Sequence, residues 1–168
     1  MKIVILGGNG FIGSNLAKRL LKSGNRVIIL GRSEKSALSG IEYFQYKDSN
    51  LDEIREASLN ADAFMHLACN TIPSTSNKNI QDDISSNLLF TIKLLDLIKL
   101  CNIKKFIFSS SGGAVYGNPN HLPLRENHPL EPISSYGIHK LAIEKYLDLY
   151  RNNYGLNSYV LRIANPYG

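Results

Sequence analysis

The sequence has 168 residues, of which 43% are hydrophobic and 20% charged, a composition that supports one folded domain and excludes a disordered chain. Nineteen Lys and Arg against fourteen Asp and Glu give a net charge of +5, but the charges are scattered, so we expect a solvated surface and no nucleic-acid partner. The longest aliphatic run, Val27–Leu30, is too short to span a membrane, and two cysteines form no disulfide framework, so we expect a reduced, cytoplasmic setting.

Short apolar segments alternate with segments of helical periodicity along the whole chain. The predicted strands are Lys2–Leu6, Arg26–Leu30, Ile41–Gln45, Asp62–Leu67, Lys104–Ser109 and Ser158–Ile163. Apolar residues at helical spacing predict helices that begin near Phe11, cover Leu88–Ile98 and include Ile138–Leu149. Nearly continuous apolar strands separated by helices are typical of a parallel sheet covered on both faces. We therefore predict an α/β fold with a doubly wound parallel sheet in three αβα layers.

A glycine-rich turn, Gly7-Gly8-Asn9-Gly10-Phe11-Ile12-Gly13, follows the first predicted strand at once. Gly7 permits the tight turn, Gly10 lets the backbone approach a pyrophosphate, and Gly13 lets the helix pack closely on the sheet. The free N–H groups where the helix begins, at Phe11 and Ile12, would hold the phosphates. The strand–turn–helix context favours dinucleotide binding over a turn that serves packing alone.

The second predicted strand leads into Gly31-Arg32, where an acidic residue commonly binds the adenosine ribose. Gly31 offers no carboxylate. The Arg32 guanidinium could pair with a 2′-phosphate, or it could simply be solvated at the start of a loop. These residues leave NAD and NADP open, with a slight preference for NADP.

Tyr136 and Lys140 are four residues apart, so on a helix their Cβ atoms share one face, about 5–6 Å apart. An ammonium beside a phenol is expected to lower the pKa of Tyr136, which suits a group that moves a proton to or from a sugar hydroxyl. Taken alone, such a pair is more often exposed and without a function. Ser109-Ser110-Ser111 ends the fifth predicted strand, at the edge where such sheets bind ligands, and turn or cap roles stay open for these serines. Asn87 lies early in the long helix, either as a surface residue or as an amide that fixes the backbone behind the tyrosine.

Taken together, these residues resemble the extended short-chain dehydrogenase/reductase superfamily, in its nucleotide-sugar epimerase/dehydratase branch, and UDP-glucose 4-epimerase-like proteins in particular. The resemblance spans the whole chain and depends on Gly7–Gly13, His66-Leu67-Ala68, Asn87, Ser109–Gly117, Tyr136–Lys140 and Leu161–Gly168. It implies a Rossmann fold, NAD or NADP as cofactor, and a nucleotide-sugar substrate, with a UDP-sugar expected. No metal ligand is assigned.

The family pattern implies a role for each matching residue. Tyr136 is the implied acid/base, and Lys140 binds the nicotinamide ribose and tunes the phenol. Asp48 would bind the adenine amine, and Asn165 matches a residue that contacts the nucleotide-sugar. Beyond the glycine turn, the implied cofactor cleft consists of Gly31, Arg32, Asp48, Ser49, Leu67, Ala68, Asn87, Tyr136 and Lys140.

The active-site hydroxyl of the family has two possible registers in this sequence. Counted forward from Phe108 it falls on Ser111, whereas counted back from Val115-Tyr116-Gly117 it falls on Gly112. We choose Ser111 because it is the last hydroxyl before the glycines, with Ser110 as the alternative. The two glycines after Ser111 occupy the places where the 4,6-dehydratases of this branch carry an Asp-Glu pair, so dehydration is not expected.

The implied activity is NAD(P)-dependent C4 epimerisation of a UDP-sugar through a transient 4-keto sugar, with the redox step carried by the cofactor. Two alternatives stay open: an NADPH-dependent nucleotide-sugar ketoreductase, which Arg32 makes plausible, and a cofactor-binding sensor or scaffold without turnover. The resemblance also implies a homodimer through the helices near 84–100 and 135–152, whose apolar stripes could instead cover the sheet. Because family members continue with a substrate-binding domain, we expect residues 1–168 to be the cofactor domain of a longer protein; a natural single-domain protein is the alternative.

Overall fold

The computed structural model describes residues 1–119 and 121–167, and its frame is a parallel sheet of six strands. These are β1 (Lys2–Leu6), β2 (Arg26–Gly31), β3 (Glu42–Gln45), β4 (Ala63–His66), β5 (Phe106–Ser111) and β6 (Ser158–Ile163). Their order in the sheet is β3-β2-β1-β4-β5-β6, and neighbouring strands are parallel. The chain reverses direction across the sheet between β1 and β4, which is where doubly wound sheets leave a crevice for ligands. The predicted fold class is confirmed.

The helices that connect the strands differ in regularity. They are α1 (Phe11–Lys22), α2 (Asp52–Ser58), α3 (Pro73–Ser76), α4 (Ile80–Asp83), α5 (Phe90–Ile98) and α6 (Ser135–Tyr154). A π-helical stretch, Ile84–Leu89, joins α4 to α5, and we call it the π segment. π turns inside helices are frequent at functional sites. Across the described residues, no helix combines the length and the apolar character needed to cross a membrane.

Alternating side chains of the strands fill two cores, one on each face of the sheet. On one face, Ile3, Ile5 and Ile29 pack with Ala17 of α1. On the other, Val4 and the aromatic side chains of β4 and β5 pack against α2, α5 and α6. The central strands are therefore covered on both sides, which accounts for their nearly continuous apolar sequences, whereas Tyr159 and Leu161 leave one side of β6 exposed.

The prediction for β5 is displaced by two residues from the observed strand. Lys104 and Lys105 are exposed and precede the strand, whereas Ser109–Ser111 continue the ladder with Leu161–Ile163 of β6. The hydrophobic pattern predicted the end of the strand too early because the last residues of β5 are serines. These serines are consequently held by a strand instead of lying in a loop.

The apolar stripe expected on α6 faces away from the sheet. Ile138 and Leu149 are 56% and 43% exposed, so the alternative that this stripe covers the sheet is wrong. The buried side of α6 instead carries His139, Lys140 and Glu144 together with apolar residues. Hydrophobic periodicity selected the wrong side because these polar groups are buried with hydrogen-bond partners. On the π segment and α5 the expected stripe is divided, since Leu95 and Ile98 are buried while Leu89 is exposed.

Candidate functional site

The glycine turn between β1 and α1 has the geometry that a bound diphosphate needs. Gly7 has φ +88°, and a Cβ atom on it would lie 2.7 Å from the backbone nitrogen of Ala68. A Cβ on Gly13 would lie 2.4 Å from the Gly7 carbonyl oxygen, whereas one on Gly10 would meet nothing closer than 3.4 Å. Protein packing therefore requires Gly7 and Gly13, while the space over Gly10 is left for a ligand. The α1 N–H groups at Phe11 and Ile12 begin directly after Gly10, and residues of this kind fit a pyrophosphate.

The carboxyl ends of β2 and β3 bring together the residues expected at the adenosine. A Cβ on Gly31 would lie 2.6 Å from the Tyr43 hydroxyl, so no acidic side chain fits there without a shift of Tyr43. Arg32 Nη1 lies 3.9 Å from Asp48 Oδ2, with side chains 54% and 45% exposed. Ser49 is exposed beside Asp48. This end of the cleft consists of exposed groups that hold one another weakly.

Asn87 is 6% exposed and belongs to the π segment, so the alternative of a surface residue is wrong. Its Oδ1 accepts a hydrogen bond of 2.9 Å from Asn70 N, and its Nδ2 donates to Thr71 Oγ1 over 3.2 Å. The amide thus fixes the loop that follows β4, in which Leu67 and Ala68 run beneath the glycine turn.

Lys140 is buried on α6 and faces the end of β5. Its Nζ donates a 2.8 Å hydrogen bond to Ser109 O and lies 4.7 Å from the Phe108 ring centroid and 5.6 Å from that of Tyr136. Burial holds the pKa of Lys140 below its usual value. The structure therefore places Tyr136 and Lys140 together at the carboxyl edge of the sheet.

The expectation of a lowered phenol pKa is wrong for the free protein. Burial, with a smaller contribution from Cys69, raises the pKa of Tyr136, and the Ser111 hydroxyl offsets part of the rise. The reason lies in the direction of Lys140, whose ammonium bonds the Ser109 carbonyl oxygen. Tyr136 is accordingly a protonated phenol at neutral pH.

The two serines considered for the active-site hydroxyl have different partners. The Ser111 hydroxyl acts on the phenol and lowers the pKa of Tyr136. Ser110 is buried on the opposite side of the strand and donates to Glu144 Oε1. Glu144 in turn forms an ion pair with Arg162, with Oε2 at 2.8 Å from Nη2. These contacts support Ser111 as the hydroxyl beside the phenol and give Ser110 a structural role.

Asn165 follows β6 and is exposed near the same edge of the sheet. A Cβ on Gly113 would lie 3.8 Å from Asn165 Oδ1, so the loop after Ser111 and the segment after β6 lie side by side. The assignment of Asn165 as a substrate contact stays a prediction. Gly168, which ends the motif of this segment, lies outside the described residues.

Asp83 is a buried carboxylate that no motif or spacing indicated. It is 0% exposed; Oδ2 accepts hydrogen bonds from Ser135 Oγ at 2.6 Å and His139 Nδ1 at 2.9 Å. Oδ1 accepts from Asn87 Nδ2 at 3.1 Å and from Thr71 Oγ1. Burial raises the pKa of Asp83, but these hydrogen bonds outweigh it and hold the pKa below its usual value. Because Ser135 and His139 flank Tyr136 on α6, Asp83 ties the helix that carries the phenol to the π segment.

Comparison with known proteins agrees with this geometry. A profile described as the NAD dependent epimerase/dehydratase family matches residues 3–168. A putative UDP-glucose 4-epimerase of Methanocaldococcus jannaschii is 37% identical over 172 residues, which cover 99% of this chain and 56% of that protein.

Two solved structures show the same fold. The UDP-glucose 4-epimerase of Thermotoga maritima with UDP-glucose superposes with a TM-score of 0.91 at 32% identity, covering 100% of this chain and 57% of that one. The Thermus thermophilus UDP-glucose 4-epimerase with NAD gives a TM-score of 0.88 at 28% identity, covering 100% and 58%. The chain thus spans little more than half the length of the proteins it matches.

Proposed function

Because the chain belongs to the NAD-dependent epimerase/dehydratase family, we propose that the protein is a nucleotide-sugar epimerase that inverts C4 of a UDP-sugar. The resemblance inferred from the motifs is confirmed at the level of the family. The observation that supports the activity is that buried Lys140 lies beside Tyr136 at the carboxyl edge of the sheet, where Ser111 ends β5. The relatives named above are UDP-glucose 4-epimerases, one of them with UDP-glucose and one with NAD.

The residues of the cleft fit a nicotinamide dinucleotide. The turn at Gly7–Gly13 would hold the pyrophosphate, Asp48 the adenine amine, and Lys140 the nicotinamide ribose. When bound there, a nicotinamide dinucleotide would supply reversible hydride chemistry at C4 with no net oxidation.

Tyr136 would remove the C4 hydroxyl proton and later return it. Since the phenol is protonated in the free protein, Tyr136 has to lose its proton in the complex before it can act as a base. The Lys140 ammonium, 5.6 Å from the ring centroid, is the positive charge that would stabilise the phenolate. Ser111 would hydrogen-bond the same sugar oxygen and hold it in line with the phenol. Gly112 and Gly113 contribute no acid or base, which favours epimerisation over dehydration.

The test uses the full-length protein, purified without added nucleotides. An epimerase that regenerates its cofactor should retain NAD or NADP, and it should interconvert UDP-glucose and UDP-galactose with none added. Net consumption of NADPH would instead establish the ketoreductase. Cofactor binding without turnover of any UDP-sugar would favour the sensor or scaffold.

The choice between NAD and NADP depends on the adenosine end. Tyr43 leaves no room for an acidic side chain at position 31, and the lack of a carboxylate there favours NADP. The negative charge of Asp48 beside Arg32 instead disfavours binding of a 2′-phosphate. Chromatography of the nucleotide released on denaturation identifies which of the two is bound.

We also propose that the protein forms a homodimer through the π segment, α5 and α6. Exposed apolar side chains on these helices support an interface, namely Ile84, Leu89, Ile138, Tyr146 and Leu149. Replacing Ile138 by Glu should convert a dimer to a monomer in light scattering, and a monomeric wild-type protein would contradict the proposal.

A cytoplasmic location is proposed because both cysteines within the described residues are free.

A further inference from the structure

Three side chains that the proposed mechanism leaves unused form a hydrogen-bonded chain beside Tyr136. His139 Nδ1 lies 2.9 Å from Asp83 Oδ2, and His139 Nε2 lies 3.8 Å from Cys69 Sγ. Because the carboxylate holds the proton on Nδ1, the lone pair of Nε2 faces the thiol. A nucleophile, a base and a group that orients the base form the arrangement that activates nucleophiles in covalent catalysis.

Cys69 has two contacts besides His139. Thr71 O and Asn87 Oδ1 lie 3.3 and 3.4 Å from Sγ, and both can accept the S–H proton. His139 Nε2 is the base within reach of the sulfur and would receive the proton as the sulfur attacks. Burial raises the pKa of Cys69, but the His139 hydrogen bond and the Lys140 charge outweigh it and hold the pKa below its usual value.

A small cavity lies beside the thiol, within the proposed cofactor cleft. Its volume is about 10 Å³, enough for a molecule of about the size of water. Cys69, His139, Lys140 and His66 all line it. His66 is 3% exposed, and in the part of the chain that is described its Nδ1 has no hydrogen-bond partner. Burial, reinforced by the Lys140 charge, lowers the pKa of His66 to about 3, so Nδ1 is a neutral acceptor.

The cavity thus pairs an acceptor, His66 Nδ1, with a donor, since the Lys140 ammonium has three N–H groups and its one described hydrogen bond is to Ser109 O. Because Cys69 is exposed, an oxidant larger than water reaches the sulfur from solvent, whereas a water molecule, which both donates and accepts hydrogen bonds, fits such a space. A metal ion does not, because residues 1–119 and 121–167 contain no group of three His, Cys, Asp or Glu side chains that could hold one.

We propose that Cys69, His139 and Asp83 form a thiol site that reacts with hydrogen peroxide. The sulfur attacks one peroxide oxygen, so that an S–O bond forms and the O–O bond breaks. The thiol is oxidised to a sulfenic acid while the peroxide is reduced. The leaving hydroxide takes the proton that His139 received from the thiol and departs as water. Small thiols reduce the sulfenic acid back to the thiol.

The oxidised sulfur would lie next to the groups that carry the proposed function. Asn87 and His139 contact Cys69 directly, and the Lys140 charge acts on it. A sulfenic acid at this position competes for the Lys140 ammonium. We therefore expect peroxide to lower turnover and a thiol reductant to restore it.

The test measures sulfenic acid formation directly and does not depend on turnover. Full-length protein is treated with hydrogen peroxide at neutral pH, trapped with dimedone and digested, and the peptides of Cys69 and Cys101 are quantified by mass spectrometry. An ordinary thiol is only a few per cent thiolate at pH 7, so Cys69 should react about tenfold faster than the same residue in the chain unfolded in guanidinium. A rate no faster than in the unfolded chain overturns the proposal.

Matched variants show whether the rate of Cys69 labelling depends on the His139 base or only on the accessibility of the thiol. His139→Gln should reduce the rate of Cys69 labelling about tenfold, whereas His128→Gln, remote from the cavity, should leave it unchanged. Cys101 serves as an internal control because it is buried, and burial raises its pKa. Should His139→Gln fail to fold, the comparison of folded and unfolded wild-type protein still decides the question. Fast labelling without epimerase activity would reject only the proposed function.

Discussion

The two ends of the proposed cofactor cleft are held in different ways. At the acid/base end, Asp83, Lys140 and Glu144 are 0%, 2% and 6% exposed, and each has hydrogen-bond partners. At the adenosine end, Arg32 and Asp48 are about half exposed and approach each other only to 3.9 Å. Buried hydrogen bonds to charged groups contribute more than exposed ion pairs. We infer that the acid/base end is fixed before a ligand binds, whereas the adenosine end adjusts to it.

The largest effect should come from the phenol itself. Tyr136→Phe removes the proton that the reaction moves, and we expect turnover to fall by about 10²–10⁴-fold while the retained cofactor changes little. Tyr154→Phe, on the same helix and 55% exposed, is the matched control and should retain activity. Turnover of UDP-glucose and the amount of bound nucleotide are measured for each variant. Unchanged turnover in Tyr136→Phe would remove the acid/base assignment.

Replacing Asp83 tests whether the acid/base end of the cleft is rigid. Asp83→Ala leaves the donors of Ser135, His139 and Asn87 without their acceptor, and we expect the free energy of unfolding to fall by about 3 kcal/mol. Asp82→Ala, at the exposed neighbouring position, should cost less than about 1 kcal/mol. Urea unfolding of the two variants and the wild type measures the difference, and equal losses would contradict a special role for Asp83.

The pH dependence of stability sharpens the same comparison. Although burial raises the pKa of Asp83, the hydrogen bonds from Ser135, Thr71 and His139 bring it below the usual value in the folded protein. The stabilisation is therefore present above the unfolded pKa of about 3.9 and is lost as pH falls through the folded pKa. Unfolding in urea at pH 7 and pH 3 should show a smaller loss of stability for Asp83→Ala than for the wild type. Parallel losses would show that other carboxylates account for the acid sensitivity.

The sequence was sufficient for the parts of the molecule that follow from local pattern. The strands, the glycine turn and the Tyr136–Lys140 pair each depend on a short stretch of chain, and the structure places them as expected apart from β5, which begins and ends two residues later. Asp83 and the buried face of α6 were not predictable, because their burial depends on partners far along the chain. Asp83 meets His139 across 56 positions, and no periodicity reports such a contact. The expectation of a lowered pKa for Tyr136 was wrong for a related reason. The spacing places Lys140 near Tyr136 but does not determine where the Lys140 ammonium points.

The smallest effect on stability is expected at the adenosine end. Arg32→Ala breaks an exposed pair that contributes less than about 1 kcal/mol, so the free energy of unfolding should barely change. Its effect on cofactor choice is larger if a 2′-phosphate is bound, since loss of a charged hydrogen bond costs about 1.5–3 kcal/mol. Binding of NAD and NADP to the variant, measured by calorimetry, should then show NADP affinity falling while NAD affinity stays the same. An equal change for both nucleotides would mean that Arg32 contacts the adenosine without reading its 2′ position, and an adaptable end of the cleft would then accept either cofactor.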